Sequence, residues 1–238
     1  RTALSLLQPS ALALRPYRCP LCGPGLLLRL SRDGIGVRCM RCGASAITQS
    51  LVAVLRSVRP DFEGRRVYEM SSRGALFEFL RRAVVDFTCS EYFDDVPPGD
   101  RRGGVLCQDV QRLTVGDGSF DICTSTEVFE HVPDDRRGFA EIRRVLAPGG
   151  AFMFTVPLSD SPRTVERAVL AEGGVRYILP PTYHHDRIRG REQVLVYRDY
   201  GQDITQRLVE AGFARAYIDR RFERAWLGAG CGVIVAEA

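Results

Sequence analysis

Lysine is missing: all 33 basic residues of this 238-residue chain are arginine. Such a bias reflects coding more often than function, so little weight rests on it. Histidine is scarce, with His131, His184 and His185 the only three, and few positions can therefore offer an imidazole as base or ligand. No apolar run approaches the roughly 20 residues that a membrane-spanning helix needs. Internal repeats and low-complexity segments are also absent. A composition of 45% hydrophobic and 26% charged residues excludes a disordered chain, a collagen-like chain and a disulfide mini-protein. The length suits one medium domain, or a domain with a small module.

Acidic residues are nearly missing from the front of the chain. Residues 1–48 hold seven arginines (Arg1, Arg15, Arg18, Arg29, Arg32, Arg38 and Arg41) against the single acid Asp33, a net +6, while the rest of the chain carries −2. That asymmetry points to anionic partners. Aromatics are scarce there too: Tyr17 is the only one in residues 1–48, which argues against a base-stacking platform for nucleic acid.

Eight cysteines are present. Cys19, Cys22, Cys39 and Cys42 read C-x2-C, sixteen residues, C-x2-C, a spacing that suits a four-thiolate zinc site. Gly23 and Gly43 follow the two pairs, and glycine supplies the positive φ of a sharp knuckle. Leu26 to Leu30 and Ile35 to Arg38 flank Ser31-Arg32-Asp33-Gly34, which reads as a hairpin. Two knuckles joined by a hairpin make a zinc ribbon; two disulfides or a redox pair are the other readings. A four-ligand site leaves no open position, so the metal's expected role is structural. Four thiolates on one Zn²⁺ would lower the formal charge of the chain from +4 to about +2, with Arg18, Arg38 and Arg41 as counter-charge. Cys89, Cys107, Cys123 and Cys231 sit singly in apolar runs and read as core residues.

Thr2 to Leu14 is fairly apolar, and Ala11-Leu12-Ala13 mimics a signal-peptide end. Pro9 interrupts it and the cysteine pair follows, so it reads as a cytoplasmic extension packing on the ribbon or body. Gln49 to Val58 is expected as a linking helix that Pro60 ends. Strands and helices then alternate, as in a parallel α/β sheet. The expected strands are Val67–Met70, Asp86–Ser90, Val105–Cys107, Phe120–Thr124, Ala151–Val156, Ala214–Ile218 and Gly232–Ala236. The expected helices are Gly74–Val84, Asp134–Leu146, stopped by Pro148-Gly149-Gly150, and Ile204–Ala211. Residues 158–198 form a long insert rich in Pro, Arg, Tyr and His.

This order resembles the class I S-adenosylmethionine-dependent methyltransferases of the type 11 group, over about residues 60–238. The most specific stretch is Phe120-Asp121-Ile122-Cys123-Thr124-Ser125-Thr126-Glu127-Val128-Phe129-Glu130-His131-Val132-Pro133-Asp134 with Arg144-Val145-Leu146-Ala147-Pro148-Gly149-Gly150. It is similar to the family's fourth strand, its "EHVPD" turn and its lead into strand 5. The resemblance implies an α/β fold: a Rossmann-like, seven-stranded, mostly parallel sheet with helices on both faces. It also sets the organisation: ribbon at 1–48, linking helix at 49–59, methyltransferase domain at 60–238.

The resemblance further implies a site for S-adenosyl-L-methionine at the carboxyl ends of the strands. Glu91 is placed for the ribose hydroxyls, Asp109 for the adenine amine, and Thr126 lies at the end of the fourth strand. Glu69 matches the acid that opens the family's glycine-rich loop. That loop departs from the pattern: Glu69-Met70-Ser71-Ser72-Arg73-Gly74-Ala75 puts Ser, Arg and Ala where three alternating glycines are usual. Ser71 is small enough to keep the loop close to a ligand, Gly74 opens the next helix, and Arg73 offers a guanidinium for the methionyl carboxylate.

Methyl transfer needs an aligned nucleophile, plus a base if that nucleophile carries a proton. His131, in the "EHVPD" turn, and Tyr183 with His184, in the insert, are the candidates. A metal site of His184, His185 and Asp186 is a weaker alternative. The leading expectation is a methyltransferase acting on a small molecule, sugar or glycan. An RNA methyltransferase docking through the arginine-rich ribbon is second. A non-catalytic binding protein with a degenerate loop is third.

Overall fold

A computed structural model describes residues 11–31, 36–184 and 193–238. Most of the expected extension before Leu14, the tip of the ribbon hairpin, and His185 with Asp186 lie outside the described residues. Among the described residues no helix is long and apolar enough to cross a membrane.

The chain opens with strands β1 (Ala13–Cys19), β2 (Gly23–Arg29) and β3 (Val37–Cys39), which form an antiparallel sheet in the order β1-β2-β3. The sequence reading placed no strand at β1. Pro16 tells against a strand interior, but β1 is an edge, where a missing N–H costs nothing. Helix α1 (Ala46–Val58) starts three residues before the expected Gln49, because the Ser45 side chain caps it by accepting from the Thr48 amide at 3.2 Å. There follow β4 (Arg66–Glu69), α2 (Gly74–Ala83), β5 (Asp86–Glu91), β6 (Arg101–Arg102), β7 (Val105–Cys107) and β8 (Phe120–Thr126). Helix α3 (Asp135–Val145) is capped by Asp134, whose carboxylate accepts from the Arg137 amide at 3.0 Å.

Strand β9 (Leu146–Thr155) corrects one expectation. Pro148-Gly149-Gly150 does not stop the helix, which ends at Val145; it lies inside the strand. The register with β8 slips there: Phe120 pairs with Leu146 but Ile122 with Ala151, so the intervening residues bulge out. Gly149 has φ +73°, and a Cβ on Gly150 would lie 2.9 Å from the carbonyl oxygens of Ala147 and Asp121. The insert is not irregular either. It carries β10 (Val165–Glu166), β11 (Ala168–Ala171), β12 (Gly174–Tyr177), β13 (Tyr183–His184), β14 (Val194–Leu195) and β15 (Arg198–Asp199), paired antiparallel as β10-β15, β11-β12 and β13-β14. Helix α4 (Ile204–Glu210), β16 (Arg215–Asp219) and β17 (Val233–Glu237) complete the elements used below.

The central sheet has the order β16-β17-β9-β8-β4-β5-β7-β6. Seven strands are those expected; the eighth, β6, is a two-residue edge antiparallel to β7. The pairs β4–β8, β8–β9 and β5–β7 are parallel and β17–β9 is antiparallel. Strand order reverses at the β4–β8 boundary, and ligands bind outside the carboxyl ends of the strands at such a point.

The described residues divide into two compact units. One comprises those up to Arg66 with Arg73–Phe87 and Ile218–Val233; the other comprises Val67–Ser72, Thr88–Tyr217 and Ile234–Ala238. In the first, Leu27 and Val37 on the inner ribbon face pack with Ala46 and Ala229. In the second, Phe129 stacks on Phe139 at 4.6 Å and Phe152 on Phe154 at 4.3 Å. That aromatic cluster anchors the turn that follows β8.

Candidate functional site

A cavity of about 260 Å³ opens in the second unit, at the carboxyl ends of β4, β5 and β7. Glu91, Tyr92, Gln108, Asp109, His131 and Tyr197 are among its lining residues. Glu91 is buried at the last position of β5. Its Oε1 accepts from the Ser72 amide at 2.7 Å and from the Ser71 and Ser72 hydroxyls at 3.2 and 3.1 Å. The serines that stand where glycines are usual thus fasten the loop to this acid. Gln108 bonds both ways with Thr114, its Nε2 donating to the hydroxyl at 2.6 Å and its Oε1 accepting from the amide at 2.9 Å. Asp109 Oδ1 accepts from the amide and the side chain of Gln111 at 2.9 and 3.1 Å. A buried carboxylate beside an amide and a second acid, with Met70 and Val110 as apolar wall, is a donor set that fits a nucleoside with its ribose diol.

The other expected cofactor residues take different positions. Glu69 is buried and accepts from the Thr124 hydroxyl. Burial, and then the nearby Glu91 charge, push its carboxyl up to about 8 against the opposing Thr124 bond. Thr126 ends β8 in register with Thr155, its Oγ1 buried without a hydrogen-bond partner. Arg73 is the exposed residue preceding α2, and Gly74 opens that helix at φ +88°. None of these four lines the cavity.

Beyond β8 the backbone turns sharply. Glu127 has φ +53°, unusual for a residue with a side chain, and its amide donates to the Thr155 carbonyl at 3.0 Å. One turn of 3-10 helix, Phe129–His131, follows. Glu130 is 1% exposed, and neither carboxylate oxygen has a hydrogen-bond partner. Two imidazoles flank it: His131 Nε2 and His184 Nδ1 each lie 3.6 Å from Oε1. The rings meet edge to face, with centroids 5.0 Å apart. His131 Nδ1 lies 2.8 Å from the Leu195 carbonyl oxygen, which assigns the proton to Nδ1 and leaves Nε2 as acceptor when the ring is neutral. Burial, and then the neighbouring Glu130, raise the Glu127 carboxyl to about 8. One ligand atom from each of Glu130, His131 and His184 lies within 4.8 Å of the others, the spacing of a cation site.

Of the three candidate catalytic residues, His131 and His184 thus come together and Tyr183 does not. Tyr183 is 42% exposed, and of the three only His131 lines the cavity. Sequence reasoning missed Glu130. The signal was there: Glu127-x-x-Glu130-His131 is the spacing that gathers side chains on one side of a helical turn. The cavity residues Tyr92, Gln108 and Tyr197 were missed as well, because nothing local marks them.

The cysteine cluster lies in the first unit. Its four sulfurs are within 4.8 Å of one another. Cys19 Sγ is 3.7 Å from Cys42 Sγ, and Cys22 Sγ is 3.6 Å from Cys39 Sγ. A disulfide needs about 2.05 Å, whereas the edge of a tetrahedron with Zn–S bonds of 2.3 Å is ~3.8 Å. Gly23 and Gly43 have φ +82° and +74°, the knuckle geometry expected of them. Burial works against ionising Cys39, but bonds from Tyr17 and the Cys42 and Arg41 amides bring its thiol down to about 6. Burial raises Cys22 and Cys42. Arg38 and Arg41 donate to the Gly43 and Cys22 carbonyls at 3.1 and 3.0 Å, bracing both knuckles.

Strand order, cavity position and the acid at the end of β5 are those of an open α/β fold whose ligand site lies at the carboxyl ends of its strands. Residues 72–154 match the family model described as "Methyltransferase domain". A ubiquinone biosynthesis O-methyltransferase of Xanthomonas euvesicatoria pv. vesicatoria is 32% identical over 182 residues, 70% of this chain and 76% of that protein. A solved S-adenosylmethionine-bound amino pentose methyltransferase of Micromonospora echinaspora shares the fold at TM-score 0.51 and 17% identity, over 82% of this chain and 92% of its own. A Mesorhizobium loti S-adenosylmethionine-dependent methyltransferase aligns at TM-score 0.50 and 18% identity, over 79% and 98%. The chain belongs to the class I S-adenosylmethionine-dependent methyltransferases.

Proposed function

We propose that this methyltransferase acts on a hydroxyl of a small acceptor bound beside Glu130, His131 and His184. One observation carries the reading: a fully buried carboxylate with both oxygens unpartnered and two imidazoles against it, at the edge of the cavity. An isolated buried carboxylate is costly, and a proton-accepting cluster gives it a purpose. The similarity to a protein named as an O-methyltransferase supports oxygen as the atom methylated. The apolar side chains of Val128, Val132 and Leu195 on the wall suit a compact acceptor.

S-adenosylmethionine supplies an electrophilic methyl group. That group would pass to the acceptor oxygen with the neutral thioether as leaving group. The hydroxyl proton passes to the imidazole of His131 or His184, and Glu130 stabilises the imidazolium. Glu91 holds the ribose and Asp109 the adenine side. A second reading is favoured by the ligand spacing: the same three side chains would hold a divalent cation, whose charge favours the acceptor oxyanion. In the ribbon module of residues 1–48, the cysteine tetrad holds a structural Zn²⁺.

The test is turnover on a panel of phenols and sugar alcohols, followed by mass detection of the methylated product. Glu130→Gln and His184→Ala should each lower turnover by about 100-fold or more, with S-adenosylmethionine affinity kept within about twofold. Dependence on added Mg²⁺ or Mn²⁺ after chelation selects the cation form. Unchanged turnover in both variants overturns the reading.

A further inference from the structure

The reactive cluster is assembled from two distant pieces of chain, Glu130 with His131 on the turn and His184 on the insert. One buried side chain joins them. Arg198, at the start of β15, is 3% exposed and lines no part of the cavity. Its Nη1 donates to the carbonyls of Phe129 and Val132 at 3.2 and 2.6 Å, and its Nη2 donates to that of Pro133 at 2.6 Å. Its Nε donates to Glu166 at 3.1 Å, and Asp135 lies 3.7 Å away.

A single 3-10 turn leaves its carbonyls without helical partners. Here Phe129 O keeps the Val132 amide at 3.2 Å, and the insert adds partners to it and to the carbonyls that follow. Besides the three that Arg198 takes, the Tyr197 amide donates to the Glu130 carbonyl at 2.8 Å. The same short segment orients both histidines. Leu195 O holds His131 Nδ1, while Val194 and Leu195 pair with His184 and Tyr183. Burying a guanidinium is costly unless it is paired, and the pairing is built in. Asp135 and Glu166 face Arg198, and Arg207 bridges the same two acids at 2.9 and 2.8 Å. Tyr200 also donates to Asp135, at 2.9 Å. Only a planar fork reaches three carbonyls and a carboxylate at once; a lysine ammonium cannot.

We infer that Arg198 is the positioning residue of the reaction: its guanidinium locks the insert onto the Phe129–Pro133 turn and so sets His184 and His131 against Glu130. The catalytic consequence rests on the function proposed above; the positioning itself does not.

The experiment reads the two separately in the full chain. With three histidines in the sequence, the ring protons of His131 and His184 are readily assigned by NMR. The wild-type protein should show a nuclear Overhauser contact between the two rings, and Arg198→Met should lose it. The variant's kcat should fall about 100-fold, the effect of a misplacement of about 1 Å, while its KM for S-adenosylmethionine stays within about twofold. Arg198→Lys keeps the charge without the fork, should fall between the two, and decides the matter if the methionine variant does not fold. A retained ring contact with unchanged kcat overturns the positioning role. A lost contact with unchanged kcat supports positioning and overturns the catalytic reading of the cluster instead.

Discussion

Among the described residues two clusters of side chains have the spacing of metal ligands, and they are built in opposite ways. The cysteine tetrad draws four like ligands from one 24-residue stretch, Cys19 to Cys42, with Cys19 and Cys39 buried and Cys22 and Cys42 half-buried. The Glu130–His131–His184 cluster draws a carboxylate and two imidazoles from two segments far apart in sequence and meets the cavity through His131. A closed, local set gives folding energy and has no room for substrate. An open, long-range set costs folding energy, because it buries an acid without hydrogen bonds, and gains a place for chemistry. On the function proposed above, the contrast separates a cluster that stabilises the ribbon from one that serves the reaction.

That contrast can be broken most easily at the tetrad. Cys39→Ser should cost ~3 kcal/mol or more, a fall of roughly 6–12 °C in melting temperature for a chain of this size, with loss of bound zinc by elemental analysis. A shift under 2 °C with zinc retained would remove the distinction. A smaller effect sharpens it from the other side. The Glu127 carboxyl rises from its ordinary 4.5 to about 8 on burial beside Glu130. A raised acid binds more protons folded than unfolded, so it favours the folded state below about 4.5 and progressively less as pH rises to 8. Thermal melts across that window should therefore slope less steeply in Glu127→Gln than in the wild type, and equal slopes would refute the buried-acid picture. The smallest effect is the most telling. Glu130→Gln, which would destabilise a structural ligand set, should melt at or up to a few degrees above the wild type; calorimetry decides.

The legible parts of the molecule were the local ones. The C-x2-C spacing, the strand at Val105–Cys107 and the amphipathic α3 each stand on residues adjacent in sequence, and the structure places the elements there. Pro148-Gly149-Gly150 was misread because helix-stopping chemistry and bulge chemistry use the same residues; only the close approach of Ala147 and Asp121 to Gly150 tells them apart. The strand β1 was hidden by Pro16, whose cost vanishes at an edge. In the site, Glu91 and Asp109 could be named because strand ends are predictable in an alternating fold. Glu130 could not, since its importance lies in what fails to bond it. Arg198 reads as an ordinary arginine in an arginine-rich insert until its carbonyl partners, 65 to 69 residues away, are seen.

The division of labour along the chain has an evolutionary consequence. Glu91 ends β5 and Asp109 lies two residues beyond β7, whereas His184 and Arg198 come from residues 158–198. On the function proposed above, a different insert would change the acceptor side and leave the donor side intact only if it also braced the carbonyls of Phe129, Val132 and Pro133. Because Arg198 meets backbone oxygens, side-chain changes within Phe129–Pro133 would leave its partners in place.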